Sequence, residues 1–209
     1  MNKLNLGCGH ITINGYINID SGWNVFFSKI PWIKKPLYKL GIFPKGMLYD
    51  LDKSIIRMNL PSGLKKFKNN SADRIFTSHF IEHVTPKEST VTLSECFRIL
   101  CPNGLIRIVL PDALLWAKAY VANTEACIHD NISSEEHRNT MFHSVAGGYQ
   151  TGHKNSHRFM WDIPSMKYNL EKIGFQQITV CSYRSGKDPE MYNADNYPDA
   201  SFFIEAVKP

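Results

Sequence analysis

No apolar run in this 209-residue chain reaches the length that a membrane-crossing helix needs. No signal peptide precedes the first apolar segment, so the expectation is a cytoplasmic protein. Cysteine is sparse and odd in number: Cys8, Cys96, Cys101, Cys127 and Cys181 are widely spaced, which fits free thiols in a reducing compartment and not a disulfide framework. There is no arginine-rich tract and no nucleic-acid-binding motif. The formal charge of +5 is too modest to supply the argument alone, so no nucleic-acid partner is expected. Internal repeats and low-complexity tracts are missing too. With 43% hydrophobic and 21% charged residues, the composition is that of one folded globular domain. One further absence is local: residues 23–48 hold no carboxylate.

The most informative residues are the first twenty. Leu4-Asn5-Leu6 runs into Gly7-Cys8-Gly9, and Tyr16-Ile17-Asn18-Ile19 ends on Asp20. In an open α/β sheet this puts a glycine turn beside a carboxylate at neighbouring strand ends, where cofactors bind. Glycine lets backbone approach a ligand closely, and an aspartate there can accept from both hydroxyls of a ribose. The dinucleotide fingerprint fails, because Thr12 stands where its third glycine belongs. The link to Tyr16 is also too short for the crossover helix whose N-terminus would hold a pyrophosphate. A nucleoside cofactor without phosphates suits the site better. The bland alternative is a tight turn with no ligand.

Further along, Met47–Leu51 reads as a third strand and Ala72–Ser78 as a fourth, which delivers His79, Glu82 and His83. Thr85, Pro86 and Glu88 spell the start of a helix with a capping box. Leu93, Cys96, Phe97 and Leu100 follow at helical spacing, and Cys101-Pro102-Asn103-Gly104 stops the run. Leu105–Leu110 is the fifth strand, closed by Pro111-Asp112. Helices are expected from about 113 to 126 and from Pro164 to Gly174. Gln176–Cys181 and Ser201–Val207 make a final antiparallel pair.

In order and spacing, "LNLGCG", "GYINID", "SHFIEHV", "LSECFRILCPNGLIRIVLPD", "LEKIGFQQITV" and "SFFIEAVK" resemble the class I S-adenosylmethionine-dependent methyltransferases, in particular a small bacterial group. The resemblance runs from Lys3 to Lys208. It implies a Rossmann-like α/β fold whose seven-stranded, mostly parallel sheet has the order 3-2-1-4-5-7-6, with strand seven antiparallel. It implies S-adenosyl-L-methionine as cofactor, with Gly7, Cys8 and Gly9 at its methionine end and Asp20 on the ribose. Asp50, Leu51 and Asp52 would lie near the adenine, and Ser78 and His79 beside the methionyl part. The acceptor it suggests is a small molecule or saccharide, methylated at oxygen in preference to nitrogen, because the group looks like enzymes of bacterial surface saccharide synthesis.

Individual residues keep competing readings. His79-Phe80-Ile81-Glu82-His83 matches the inverted zinc-peptidase pattern, yet hydrolysis would need a helix through the motif and a third ligand, and no metal is assigned. Asp112 either orients an acceptor hydroxyl or caps the next helix. His143, His153 and His157 fall in the section covering the substrate side, where any one could serve as general base, His157 together with His79 and Asp112 being the catalytic candidates. A strong base is not obligatory, since the sulfonium is already activated and alignment supplies much of the effect. Residues 23–46 form a basic, aromatic, lid-like insertion in a single domain spanning 1–209. Its prolines forbid one long helix. It either packs as a lid with its lysines in water, or also touches a membrane inner face or a lipid-linked acceptor. A noncatalytic cofactor-binding or protein-interaction domain is the alternative from another class.

Overall fold

A computed structural model of the chain describes residues 1–122 and 157–209. His143, His153 and Cys127 lie outside the described residues. Seven strands form one sheet in the order β3-β2-β1-β4-β5-β7-β6. They are β1 (Asn2–Leu6), β2 (Ile17–Asp20), β3 (Ile56–Arg57), β4 (Ala72–Ser78), β5 (Leu100–Pro111), β6 (Gln176–Cys181) and β7 (Ser201–Val207). Neighbours are parallel from β3 to β5, whereas β7 runs antiparallel to both β5 and β6. This is the Rossmann-like methyltransferase sheet that the motifs implied.

Strand residues alternate between two apolar layers, as a sheet covered on both faces requires. Leu4, Leu6, Ile75, Ile106 and Ile108 join one cluster, while Phe76, Val109 and Phe203 join another on the opposite side. The first layer is closed by α3 (Pro86–Ile99) and by the helix Ile163–Ile173, through Leu93, Cys96, Met166 and Leu170. Both helices begin as expected. Thr85 and Glu88 form a reciprocal capping box, and Asp162 with Ser165 forms a second one. Gly174 ends the later helix at φ 114°, a conformation that favours glycine.

The β1–β2 link contains no helix. Buried Asn5 and Asn18 take its place: Asn5 Nδ2 donates to Asn18 Oδ1 and to Ile11 O, each at 2.9 Å. Asn18 Oδ1 also accepts from Ile13 N–H, and its amide donates back to Ile13 O and Tyr16 O. A two-asparagine knot thus satisfies the backbone of a link too short for a crossover helix.

Two expectations need correction. Met47–Leu51 is not a strand. Lys45–Leu48 is a 3-10 turn, and the third strand is the pair Ile56–Arg57. The cause is that the backbone of this segment is spent on the insertion, with Leu51 N–H donating to Ser28 Oγ and Tyr49 O accepting from Lys34 Nζ. The helix does stop ahead of Cys101–Gly104, at Ile99, but the fifth strand does not wait for Leu105. β5 begins at Leu100 and passes through these residues, with Asn103 at φ 63° and Lys208 bridging to Gly104 by its backbone N–H.

The insertion folds as α1 (Trp23–Ser28), a 3-10 turn Pro31–Ile33 and α2 (Lys34–Lys39). One of its lysines is not in water. Lys34 is 2% exposed, donates to Asn24 Oδ1, Ser28 Oγ and Tyr49 O, and lies 3.0 Å from Asp50 Oδ1. Trp23, Phe26, Trp32, Leu40 and Ile42 remain exposed. Among the described residues no helix is long and apolar enough to cross a membrane.

Candidate functional site at the carboxyl ends of the strands

Strand direction brings the glycine turn, Asp20, Ser78 and Asp112 to one edge of the sheet, because β1, β2, β4 and β5 all end there. Gly7 (φ 66°) and Gly9 (φ 53°) both adopt left-handed backbone. At Gly7 a second constraint applies: a Cβ would land on the Phe80 side chain, so the approach of β4's exit to the turn requires glycine. Gly9 N–H donates to Asp20 Oδ2 at 2.9 Å, and Gly22 N–H donates to Asp20 Oδ1 at 2.6 Å. The carboxylate therefore ties the glycine turn to the start of the insertion. Two of its roughly four lone-pair positions are used, which leaves acceptor capacity for ribose hydroxyls.

Cys8 is buried, packing with Val25 and Ile55, and Leu51 packs against that group. Burial, together with the Asp20 and Asp52 charges, pushes the Cys8 thiol up to about 12. Cys8 is thus a packing residue that lines the turn, not a nucleophile. Asp50 and Asp52 do not follow a strand. Asp50 is exposed against Lys34, and Asp52 Oδ1 caps the Ser54 N–H. The residues that do follow β3 start at Met58, whose N–H donates to Asp20 O at 2.9 Å. Sequence reading missed Met58 because a two-residue strand leaves no periodic signal. Trp23 also frames this side, with the Arg57 guanidinium 4.0 Å from its ring.

β4 ends in Ser78 and His79. Ser78 Oγ donates to Asn196 Oδ1 at 2.7 Å, and His79 Nε2 lies 3.0 Å from Ser201 Oγ. His79 has φ 50°, an uncommon conformation for a non-glycine residue and one that clusters at functional sites. Its ring meets Tyr197 edge-on at 4.8 Å. Asn196, Tyr197 and Ser201 were not legible as site residues, since they arrive from the far end of the chain. Across the edge, Asp112 Oδ1 accepts from Leu114 and Leu115 N–H, so one of its oxygens caps α4 (Ala113–Ala122).

The helix through the motif that the zinc-peptidase reading would need is not there: residues 81–83 are a single 3-10 turn. His83 meets His157, with ring centroids 5.1 Å apart. Glu82 lies between them, 1% exposed, and neither of its oxygens has a hydrogen bond among the described residues. His79 Nδ1 approaches Glu82 Oε1 to 3.2 Å, an ion-pair distance without a directed hydrogen bond. Burial lowers the His157 pKa, and His83 and His79 add to this while Glu82 opposes it.

Residues 49–108 match a family model described as Methyltransferase domain, a segment that carries β3, β4, α3 and most of β5. A search of curated proteins found no match. Among solved structures, the fold is similar to an S-adenosylmethionine-dependent methyltransferase from Archaeoglobus fulgidus (15% identity, 99% of this chain and 86% of that one, TM-score 0.52). It is similar also to phosphoethanolamine N-methyltransferase 2 of Haemonchus contortus in complex with S-adenosyl-L-methionine (16% identity, TM-score 0.51). This chain aligns over its whole length there but spans only 50% of that protein. The segment match supports a methyltransferase domain, and the similar structures show that the chain shares their fold.

Proposed function

We propose that this methyltransferase scaffold transfers the methyl group of S-adenosyl-L-methionine to a hydroxyl oxygen of a small-molecule or saccharide acceptor. The observation that carries the reading is the tie between the Gly7–Gly9 turn and the Asp20 carboxylate, beside the strained His79 at the end of β4. The glycine backbone and Cys8 form the floor for the methionine end, and Asp20 keeps acceptor capacity for the ribose. Residues fit this cofactor in a further respect: the glycine turn leads into no helix whose N-terminus could hold a phosphate, and the methyl donor has none to place.

Bound there, the cofactor supplies an activated sulfonium methyl. The chain's own part is alignment and exclusion of water. Ser78, His79, Asn196 and Ser201 present hydroxyl, amide and imidazole groups on the acceptor side, which suits a partner rich in hydroxyls. His79 is 21% exposed, so its imidazole is within reach of an acceptor proton. His157 is the second candidate base, and Asp112 retains one uncommitted role in orienting the acceptor.

The insertion extends the proposal to the acceptor's carrier. Exposed Trp23, Phe26, Trp32, Leu40 and Ile42 interleave with Lys29, Lys35, Lys39 and Lys45, a composition that favours the interface of an anionic membrane and a lipid-linked acceptor. The test is S-adenosylhomocysteine production with hydroxylated saccharides, free and lipid-linked, and mass analysis for methyl ethers. Acceptor-dependent turnover is expected. Tight cofactor binding with no turnover on any acceptor class would favour a noncatalytic binding domain.

A further inference from the structure

We infer that Glu82, His83 and His157 bind one divalent transition-metal ion on the acceptor side of the sheet. One ligand atom from each residue lies within 4.8 Å of the others. An ion bonded at about 2.0–2.2 Å in tetrahedral geometry holds its ligand atoms roughly 3.4 Å apart. Side-chain rotation closes that difference, and Glu82 Oε1 already stands 3.9 Å from His83 Nε2.

The second observation is the carboxylate itself. Glu82 is 1% exposed, aimed into the cluster, and both its oxygens lack hydrogen bonds among the described residues. A buried carboxylate without hydrogen bonds is costly, and native proteins keep one where it pairs with charge or coordinates a metal. The site is also built by backbone, not only by side chains. Glu82 O accepts from Arg158 N–H at 2.7 Å and from Phe159 N–H at 3.3 Å, which fixes His157 over the 81–83 turn. His79 Nδ1, 3.2 Å from Glu82 Oε1, is placed as an outer partner that orients the carboxylate.

Two imidazoles and one carboxylate select zinc, manganese, iron or cobalt over magnesium or calcium, which prefer all-oxygen shells. Three protein ligands leave a coordination position open. Half-exposed His83 marks the side from which an ion enters. This is not the arrangement of the zinc-peptidase motif: the third ligand comes from His157, 74 residues beyond His83, and His79 is displaced to the outer ring by its left-handed backbone. The role that follows, holding an acceptor hydroxyl beside Ser78 and His79, rests on the methyl-transfer reading. Binding of the ion does not.

The experiment is titration of chelator-treated full-length protein with Co²⁺, followed by visible absorption, and with Zn²⁺ by calorimetry. One ion per chain is expected, with nitrogen–oxygen ligand-field bands and no thiolate charge-transfer band. Glu82→Gln, His83→Ala and His157→Ala should each weaken binding by more than the roughly 10–100-fold that outer partners cost. His10→Ala, at an exposed position outside the cluster, should leave it unchanged. Circular dichroism checks that each variant is folded. Absence of stoichiometric binding, thiolate bands, or binding indifferent to all three substitutions overturns the assignment. S-adenosylmethionine binding, measured on the same metal-free protein, reports separately on the methyltransferase reading.

Discussion

Two buried charged clusters sit at this sheet, and they are finished to different degrees. On β5, Arg107 is fully buried: its Nε and Nη2 donate to Asp195 at 2.8 and 2.5 Å, and Nη1 donates to Glu205 at 2.7 Å. Asp195 Oδ2 also accepts from Arg184 N–H, and the remaining Glu205 oxygen, Oε2, accepts from Lys187 N–H. Around Glu82, by contrast, the carboxylate is buried, the imidazoles are close, and among the described residues no hydrogen bond reaches either oxygen. A cluster that satisfies all its partners locks a segment in place, here residues 184–195 against β5 and β7. A cluster that leaves its carboxylate bare keeps capacity for something else. The difference separates a structural polar network from a candidate functional one without reference to any motif.

The largest expected effect breaks the finished cluster. Arg107→Met strands two buried carboxylates and should cost about 3–5 kcal/mol in urea unfolding. A loss below about 1 kcal/mol would show that the network contributes little. Gly186→Ala places a methyl against the Glu205 carboxylate and the Arg107 guanidinium, and should cost about 1–3 kcal/mol by crowding. The same denaturation curves check it.

The unfinished cluster should answer to pH instead. His157 has a folded pKa below the ordinary imidazole value of about 6.5, so the unfolded chain binds the proton first. Its contribution is present above pH 6.5 and is lost as pH falls from there through the lowered folded value. Stability of the metal-free protein should fall across that window, and His157→Gln should flatten this part of the profile. An identical slope in the variant would assign the dependence to other groups. The smallest effect is the sharpest contrast: Glu82→Gln should change metal-free stability by less than about 1 kcal/mol, since no hydrogen bond to the carboxylate is lost. A loss as large as that of Arg107→Met would erase the distinction between the clusters.

Much of the frame was legible because it rests on local signals. The Thr85–Glu88 box, the Gly174 stop, the alternation of β4 and the Gly-x-Gly turn next to Asp20 each need only a few neighbouring residues. β3 was misplaced because two residues carry no period, and because the apolar residues before it are committed to a buried Lys34. The asparagine knot of Asn5 and Asn18 was invisible for another reason: polar residues in short apolar strands read as the solvent face, whereas here both are buried. The acceptor side was least legible. Its parts, Ser78 with Asn196, His79 with Ser201 and Glu82 with His157, are joined across 75 to 122 residues, and the antiparallel return of β7 and the 157–159 backbone bring them together.

The central claim is that the Gly7–Gly9 turn and Asp20 hold S-adenosyl-L-methionine. Calorimetric titration of the wild-type chain and of Asp20→Asn with the cofactor tests it most directly. One-to-one binding is predicted, weakened at least about tenfold by the substitution, which removes charge from a hydrogen-bonding acceptor. No binding by the folded wild-type chain, or equal affinity in the variant, would contradict the account.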